Sequence, residues 1–181
     1  SHGMEKKGKP WEESINVPFI IRWPGVIEAG KKTDSLLAGI DLYPTLCGLT
    51  GLPAPQGKDG EDFSEFMRGK GSNPRESILI MRGPQDWGWR GIRTSRYTYA
   101  WYWGKKARQR DFGIWAKRQY GKPGGERAMV LYDNEKDPYQ MNNLIFDPAA
   151  RKIKEKLHAR LVEMLKEVDD PIVEKLATEQ L

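Results

Sequence analysis

The chain has 181 residues, enough for one domain and part of another, and its 38% apolar content with seven Trp and seven Tyr excludes a disordered chain. Thirty Lys+Arg against 25 Asp+Glu leave a formal charge of +5, which solubility alone explains and which also favours anionic partners. The single cysteine excludes an internal disulfide framework and a cysteine-built zinc cluster, and no apolar run reaches the roughly 18 residues of a membrane-spanning helix.

The first elements lie close together. Trp11-Glu12-Glu13-Ser14 reads as a helix start. Glu12 and Glu13 are adjacent and cannot face one substrate together as a catalytic pair on a regular element. Val17 to Trp23 is a nearly continuous apolar run closed by Pro24-Gly25, which predicts a strand covered on both faces, as in a parallel sheet. Asp41 to Gly51 predicts a short helix, with Asp41 as cap, Pro44 in the first turn and Gly48 or Gly51 at its end. Cys47 lies inside it and reads as a buried structural thiol. Pro53 to Gly60 is turn-rich, and Glu61 to Arg68 predicts another helical turn before Gly69.

From Glu76 the period changes. Ser77 to Arg82, Trp89 to Thr94 and Tyr97 to Trp103 are rich in aromatic and β-branched residues and predict strands, with a tight turn at Ser95-Arg96. Met129 to Tyr132 predicts a fourth. A closing helix follows: Asp147 caps it and Pro148 takes its first position. Ala150, Ile153, Leu157, Leu161, Met164 and Val168 form its apolar stripe, and Asp169-Asp170-Pro171 stops it. His158 stands beside that stripe and reads as a surface residue. Such a helix covers one face of a small antiparallel sheet of about four strands, an α+β arrangement.

The residues from Ser1 to Gly25 fit the pattern H-G-x-x-x-K-x-x-x-Y/W-E-E-S-x-x-V-P-x-I-x-x-x-P-G. It is met by His2, Gly3, Lys7, Trp11, Glu12, Glu13, Ser14, Val17, Pro18, Ile20, Pro24 and Gly25. This resembles a segment of the type I sulfatases, members of the alkaline-phosphatase-like superfamily. Ile40 to Leu46 resembles that family's I-D-L-x-P-T-L element. Two later stretches, RGIRTSRYTYAWY and YDNEKDPYQMNNL, resemble its hairpin and its signature near the C-terminus, with Gln140 where the family usually has Glu and Asn16 where it often has Arg.

The resemblance implies an α/β fold of which this chain is the C-terminal part. Residues 1–70 would be the tail end of the large catalytic domain, and 71–181 an antiparallel-sheet subdomain with a closing helix. It further implies a sulfuric ester hydrolase that uses calcium, sometimes magnesium, and a formylglycine nucleophile. Both would lie upstream of this chain, in the missing N-terminal portion of the same polypeptide. Cys47 is followed by Gly-Leu-Thr-Gly rather than the Cys-x-Pro/Ala-x-Arg context of formylglycine conversion, so the nucleophile is not here. A periplasmic or secreted location would follow from the family.

The resemblance implies that Lys7 is the lysine that contacts sulfate. An ammonium held against the sulfate oxygens and the leaving oxygen stabilises the charge that develops as the S–O bond breaks. The plain alternative is a solvated lysine in the run Lys6, Lys7, Lys9. His2 matches a His close to the metal and sulfate pocket; its alternative is an expression scar, since Ser-His-Gly-Met resembles tag remnants.

A second candidate lies between the third and fourth strands. Lys105, Lys106 and Arg108 stand there among Trp101, Trp103 and Trp115, in a connection of roughly two dozen residues, long enough to be functional or mobile. Its cations suit sulfate or carboxylate groups and its aromatics suit sugar faces, so it would form part of the substrate rim. No His pair with metal-ligand spacing occurs in the chain, so no metal ligand is assigned to it.

The expected function is hydrolysis of sulfate esters, with a sulfated glycan as substrate. A phosphodiesterase or phosphonate hydrolase of the same superfamily is the enzymatic alternative, and a module binding anionic glycans the non-catalytic one. Nucleic-acid binding through the basic aromatic stretch lacks any recognised motif.

Overall fold

The computed structural model describes residues 8–54, 57, 59–83, 88–103 and 128–178. They form two compact units. Residues up to Val17 join the chain from Leu79 onward, and Pro18–Ile78 form the second unit.

The first unit is built on a four-stranded sheet in the order β1-β2-β3-β4, comprising β1 (Ser77–Arg82), β2 (Gly88–Thr94), β3 (Tyr97–Trp103) and β4 (Ala128–Asp133). The strands β2 and β3 pair antiparallel with Ile92 opposite Tyr99, and β3 and β4 pair antiparallel with Tyr99 opposite Leu131. The bends at Ser95 and Arg96 reverse the chain between β2 and β3, where Thr94 Oγ1 accepts from the Tyr97 amide.

Alternation sends successive side chains to opposite faces. Ile92, Tyr99, Trp101 and Leu131 point to one face and pack under the closing helix α4 (Arg151–Glu167), against Leu157, Leu161 and Leu165. Trp89, Ala100, Tyr102, Val130 and Tyr132 point to the other face, where Trp11 packs on them. The sheet is therefore covered on both sides, by α4 and by the segment carrying the short helix α1 (Glu12–Ile15).

The closing helix departs from its expected outline. Asp147 caps a 3-10 turn, Pro148–Ala150, by accepting from the Ala149 amide, and the turn runs into α4. At the other end the Asp170 amide donates to Leu165 O and the Asp169 amide to Lys166 O, a Schellman pattern with Asp169 at φ +50°. The apolar stripe continues through Leu165, which is buried, and not through Val168, which is exposed. The short helix α5 (Val173–Ala177) follows and buries Leu176.

His158 is buried, not on the surface. Its Nε2 donates to the Leu176 carbonyl at 3.1 Å and its Nδ1 accepts from the Tyr99 hydroxyl at 3.0 Å. A carbonyl only accepts, which fixes the proton on Nε2. The imidazole joins α4, α5 and β3.

The second unit holds α2 (Leu42–Thr50) and α3 (Ser64–Met67). A 3-10 turn, Gly39–Asp41, leads into α2, and Gly51 at φ +72° ends it. The Asp41 carboxylate does not cap α2. It is fully buried and accepts from the Ala38 and Glu61 amides and from both terminal nitrogens of Arg75, at 2.7 and 2.8 Å. Cys47 is a buried free thiol on α2.

Val17 to Trp23 forms no strand. Val17, Phe19 and Ile20 are exposed, Ile20 to 91%. The run has the composition of a buried strand but gains no paired neighbour among the described residues.

Candidate functional site

The segment from Gly8 to Asn16 lies on the Trp89–Tyr102 face of the sheet. It begins one residue after Lys7. The Gly8 carbonyl accepts from Arg82 Nη1 at 2.8 Å and from Trp89 Nε1 at 3.2 Å. The Gly8 and Lys9 amides both donate to Ser14 Oγ, at 2.6 and 3.2 Å. Ser14 thus folds the start of the segment back onto α1, whose own N-cap residue, Trp11, makes no side-chain cap.

Further along, Glu12 carries a second set of ties. Arg93 Nε donates to its Oε1 at 2.7 Å, and the Glu12 amide donates to Gln140 Oε1 at 2.9 Å. Gln140 Nε2 donates in turn to Asn134 Oδ1 at 2.8 Å, while Asn134 Nδ2 donates to Thr98 Oγ1 at 2.9 Å. A glutamate at position 140 would keep the first contact and lose the second, because a carboxylate has no proton to give. The departure from the family pattern at Gln140 therefore has a local partner in Asn134. Asn16 Nδ2 donates to Glu12 Oε2 at 3.1 Å, so Asn16 still meets the carboxylate where an arginine is more usual.

Next to this chain of contacts, Asn143 finishes the outer edge of β4. Its Oδ1 accepts from the Leu131 amide at 2.8 Å and its Nδ2 donates to the Met129 carbonyl at 3.1 Å. One side-chain amide does here what a fifth strand would do. Asp133 accepts from Arg96 Nε and Nη2 at 3.0 and 2.7 Å, and these hydrogen bonds hold its carboxyl below the ordinary aspartate range.

Of the sequence-predicted site residues, His2 and Lys7 lie outside the described residues, as do Lys105, Lys106, Arg108, Trp115 and the side chain of Trp103. Trp101 is described and is 3% exposed. It packs on the α4 face among Tyr99, Leu131 and Leu161. A ring enclosed in this way offers no open face to a sugar, so its place in the fold is the core. Composition could not separate it from its neighbours; its parity with Tyr99 on one strand could.

Sequence reasoning did not single out Arg82, Trp89, Arg93 or Ser14 as a group. The available signal was again parity, since Arg82, Trp89 and Arg93 all fall on the face opposite Ile92 and Tyr99.

Among the described residues, no group of three or more His, Cys, Asp or Glu is placed to hold a metal ion. The buried carboxylates of Asp41, Asp133 and Asp170 are each engaged by an arginine. The described residues therefore do not fit a calcium site. No helix among the described residues is long and apolar enough to cross a membrane.

The described chain is thus an antiparallel sheet closed on one face by a C-terminal helix and covered on the other by the segment from Gly8 to Asn16. Residues 1–167 match the family described as N-sulphoglucosamine sulphohydrolase, C-terminal. An endo-4-O-sulfatase of Bacteroides thetaiotaomicron is 30% identical, with the match covering 98% of this chain and 35% of that protein. An ulvan-active sulfatase of Formosa agariphila is also 30% identical, over 91% of this chain and 29% of that protein. A protein of Bacteroides thetaiotaomicron solved crystallographically as a candidate sulfatase superposes with a TM-score of 0.67 at 28% identity, covering 88% of this chain and 32% of that one. The chain belongs to the sulfatase family and corresponds to its C-terminal portion. It spans about a third of the length of these relatives.

Proposed function

We propose that the chain is the C-terminal portion of a sulfatase that hydrolyses sulfate esters of a glycan, and that it supplies the sulfate-contacting lysine, Lys7, and part of the substrate rim. The observation that carries this reading is the attachment of the peptide that follows Lys7. Gly8 is bound through its carbonyl and its amide by Arg82, Trp89 and Ser14, so the peptide directly after Lys7 is fastened to the sheet. The names of the two curated relatives, one for 4-O-sulfate and one for ulvan, support a sulfated glycan as the substrate class.

In this reading Lys7 brings a fixed positive charge to the sulfate group, where negative charge shifts onto the leaving oxygen as its bond to sulfur breaks. His2 is assigned to the same pocket on the strength of the motif. Lys105, Lys106 and Arg108, with Trp103 and Trp115, contribute charge and flat surface to the rim. Calcium or magnesium and the formylglycine nucleophile belong to the N-terminal portion of the polypeptide. When bound, that metal would lower the cost of negative charge at the sulfate oxygens.

The exposed apolar residues support the same reading. Leu42, Tyr43 and Leu46 stand exposed on α2, which also has a buried row in Thr45, Cys47 and Leu49. A helix with apolar residues on both sides suits the interior of a larger domain.

The test compares the full-length polypeptide with the isolated 181-residue chain on matched aryl sulfate, phosphate diester and phosphonate ester substrates. The reading expects turnover of the sulfate by the full-length protein, a lower kcat/KM on both phosphorus esters, and none by the chain alone. A preference for a phosphorus ester would overturn it, as would turnover by the purified chain well above that of its Lys7→Ala variant.

A further inference from the structure

The contacts at Gly8 are unusual in how many groups they devote to one peptide without a side chain. Gly8 has φ +115°, and a Cβ built there would stand 2.4 Å from Arg82 Nη1 and 2.6 Å from its Cζ. The guanidinium therefore fills the space that any side chain at position 8 would need. The second donor, Trp89, follows directly after Gly88, which has φ +142° and whose Cβ would lie 2.1 Å from the Arg82 carbonyl oxygen. β2 can start against the end of β1 only because position 88 is glycine. Arg90 reinforces that junction by donating from Nη1 to the carbonyls of Arg82 and Gly83, at 3.4 and 3.2 Å. The two donors to Gly8 are thus set relative to each other by contacts within β1 and β2.

Four rotatable bonds already separate a lysine ammonium from its Cα, so a shifting backbone would add its own displacement to the freedom of the stem. A displacement of about 1 Å from productive geometry can cost on the order of 10²-fold in rate. We infer that Arg82 and Trp89 are positioning residues for Lys7, acting through the Gly8 carbonyl they share. The inference rests on the reading of Lys7 as the sulfate-contacting lysine.

The experiment is a double-mutant cycle in the full-length, metal-loaded polypeptide, assayed on an aryl sulfate. Trp89→Phe keeps a six-membered aromatic ring and removes the pyrrole half with its N–H, so its unfolding midpoint is measured beside its kcat; Arg82→Gln removes the charge and shortens the donor. Each is made alone and together with Lys7→Ala. In the parent background each should lower kcat by about tenfold or more and move KM by less than about twofold. In the Lys7→Ala background the same substitutions should leave kcat unchanged, since the group they position is gone. Arg82→Lys should restore part of the loss.

An equal fall in kcat in both backgrounds would make Arg82 and Trp89 general structural anchors and overturn the inference. An undiminished kcat for Trp89→Phe and Arg82→Gln, with a large loss for Lys7→Ala, would overturn the inference and leave the Lys7 reading standing. An undiminished kcat for Lys7→Ala overturns both. If Arg82→Gln fails to fold, the Trp89→Phe cycle decides alone.

Discussion

Arg93 holds Glu12 across the sheet face, with Nε donating to Oε1 at 2.7 Å and Nη2 to Oε2 at 3.2 Å. Both side chains are largely shielded, at 16% and 15% exposure. The pair joins α1 to β2 and so ties the N-terminal segment to the sheet. A hydrogen bond to a charged group contributes about 1.5–3 kcal/mol when one partner is lost. Glu12→Ala should lower the unfolding free energy by about that amount, measured by urea titration. A midpoint equal to that of the parent would show that Trp11 packing and the Gly8 and Gln140 contacts hold the segment without the Glu12 carboxylate.

A tighter bond anchors the other face. Arg90 Nε lies 2.5 Å from Asp170 Oδ2, with both side chains 6% exposed. Removing one partner of a buried pair strands a charge and costs about 3–5 kcal/mol. Asp170→Ala should therefore destabilise the sheet and closing helix far more than Glu155→Ala. Glu155 pairs with Arg151 in solvent, where such a contact is worth about 0–1 kcal/mol. Equal thermal shifts for the two variants would contradict this ranking.

Asp133 gives a pH dependence with a definite sign. Its folded pKa lies below its unfolded value because Arg96 donates hydrogen bonds to the ionised form. The stability this adds is complete above the unfolded value of about 4, and it is lost as pH falls through the folded pKa. Asp133→Asn should be less stable than the parent near neutral pH, and the gap should close as the pH drops below about 4. Chemical denaturation of both proteins across that range checks it; a gap independent of pH would exclude the mechanism.

The strands and the closing helix were legible because alternation and helical spacing act over many residues at once. The ends of β1 to β4 fall within one residue of their expected positions. What the sequence hid were pairings between distant segments. His158 reads as a surface residue from α4 alone, since its partners sit on β3 and α5. Glu12 reads only as a helix start, because Arg93 and Gln140 are far along the chain. Val17 to Trp23 reads as a strand from composition, yet a strand exists only with a neighbour. The Gly8 contacts belong to the same class: the motif marks Lys7, and nothing in its spacing names Arg82 or Trp89.

Val17 to Trp23 supplies a further prediction. Exposed and unpaired in a strand, its amides in the monomeric 181-residue chain should exchange with solvent much faster than those of β2, β3 and β4. Exchange on a monomeric sample checks this. Protection of the run to the level of β3 would mean that it has found a strand partner within the chain.

The most direct test of the whole account is the kcat of the full-length polypeptide carrying Lys7→Ala. Loss of one preorganised charge from the developing oxyanion is worth roughly 3 kcal/mol, so kcat on an aryl sulfate should fall by about 10² to 10³ while KM changes little. A kcat equal to that of the parent would show that Lys7 is a solvated surface lysine and that the segment bound to the sheet at Gly8 carries no catalytic group.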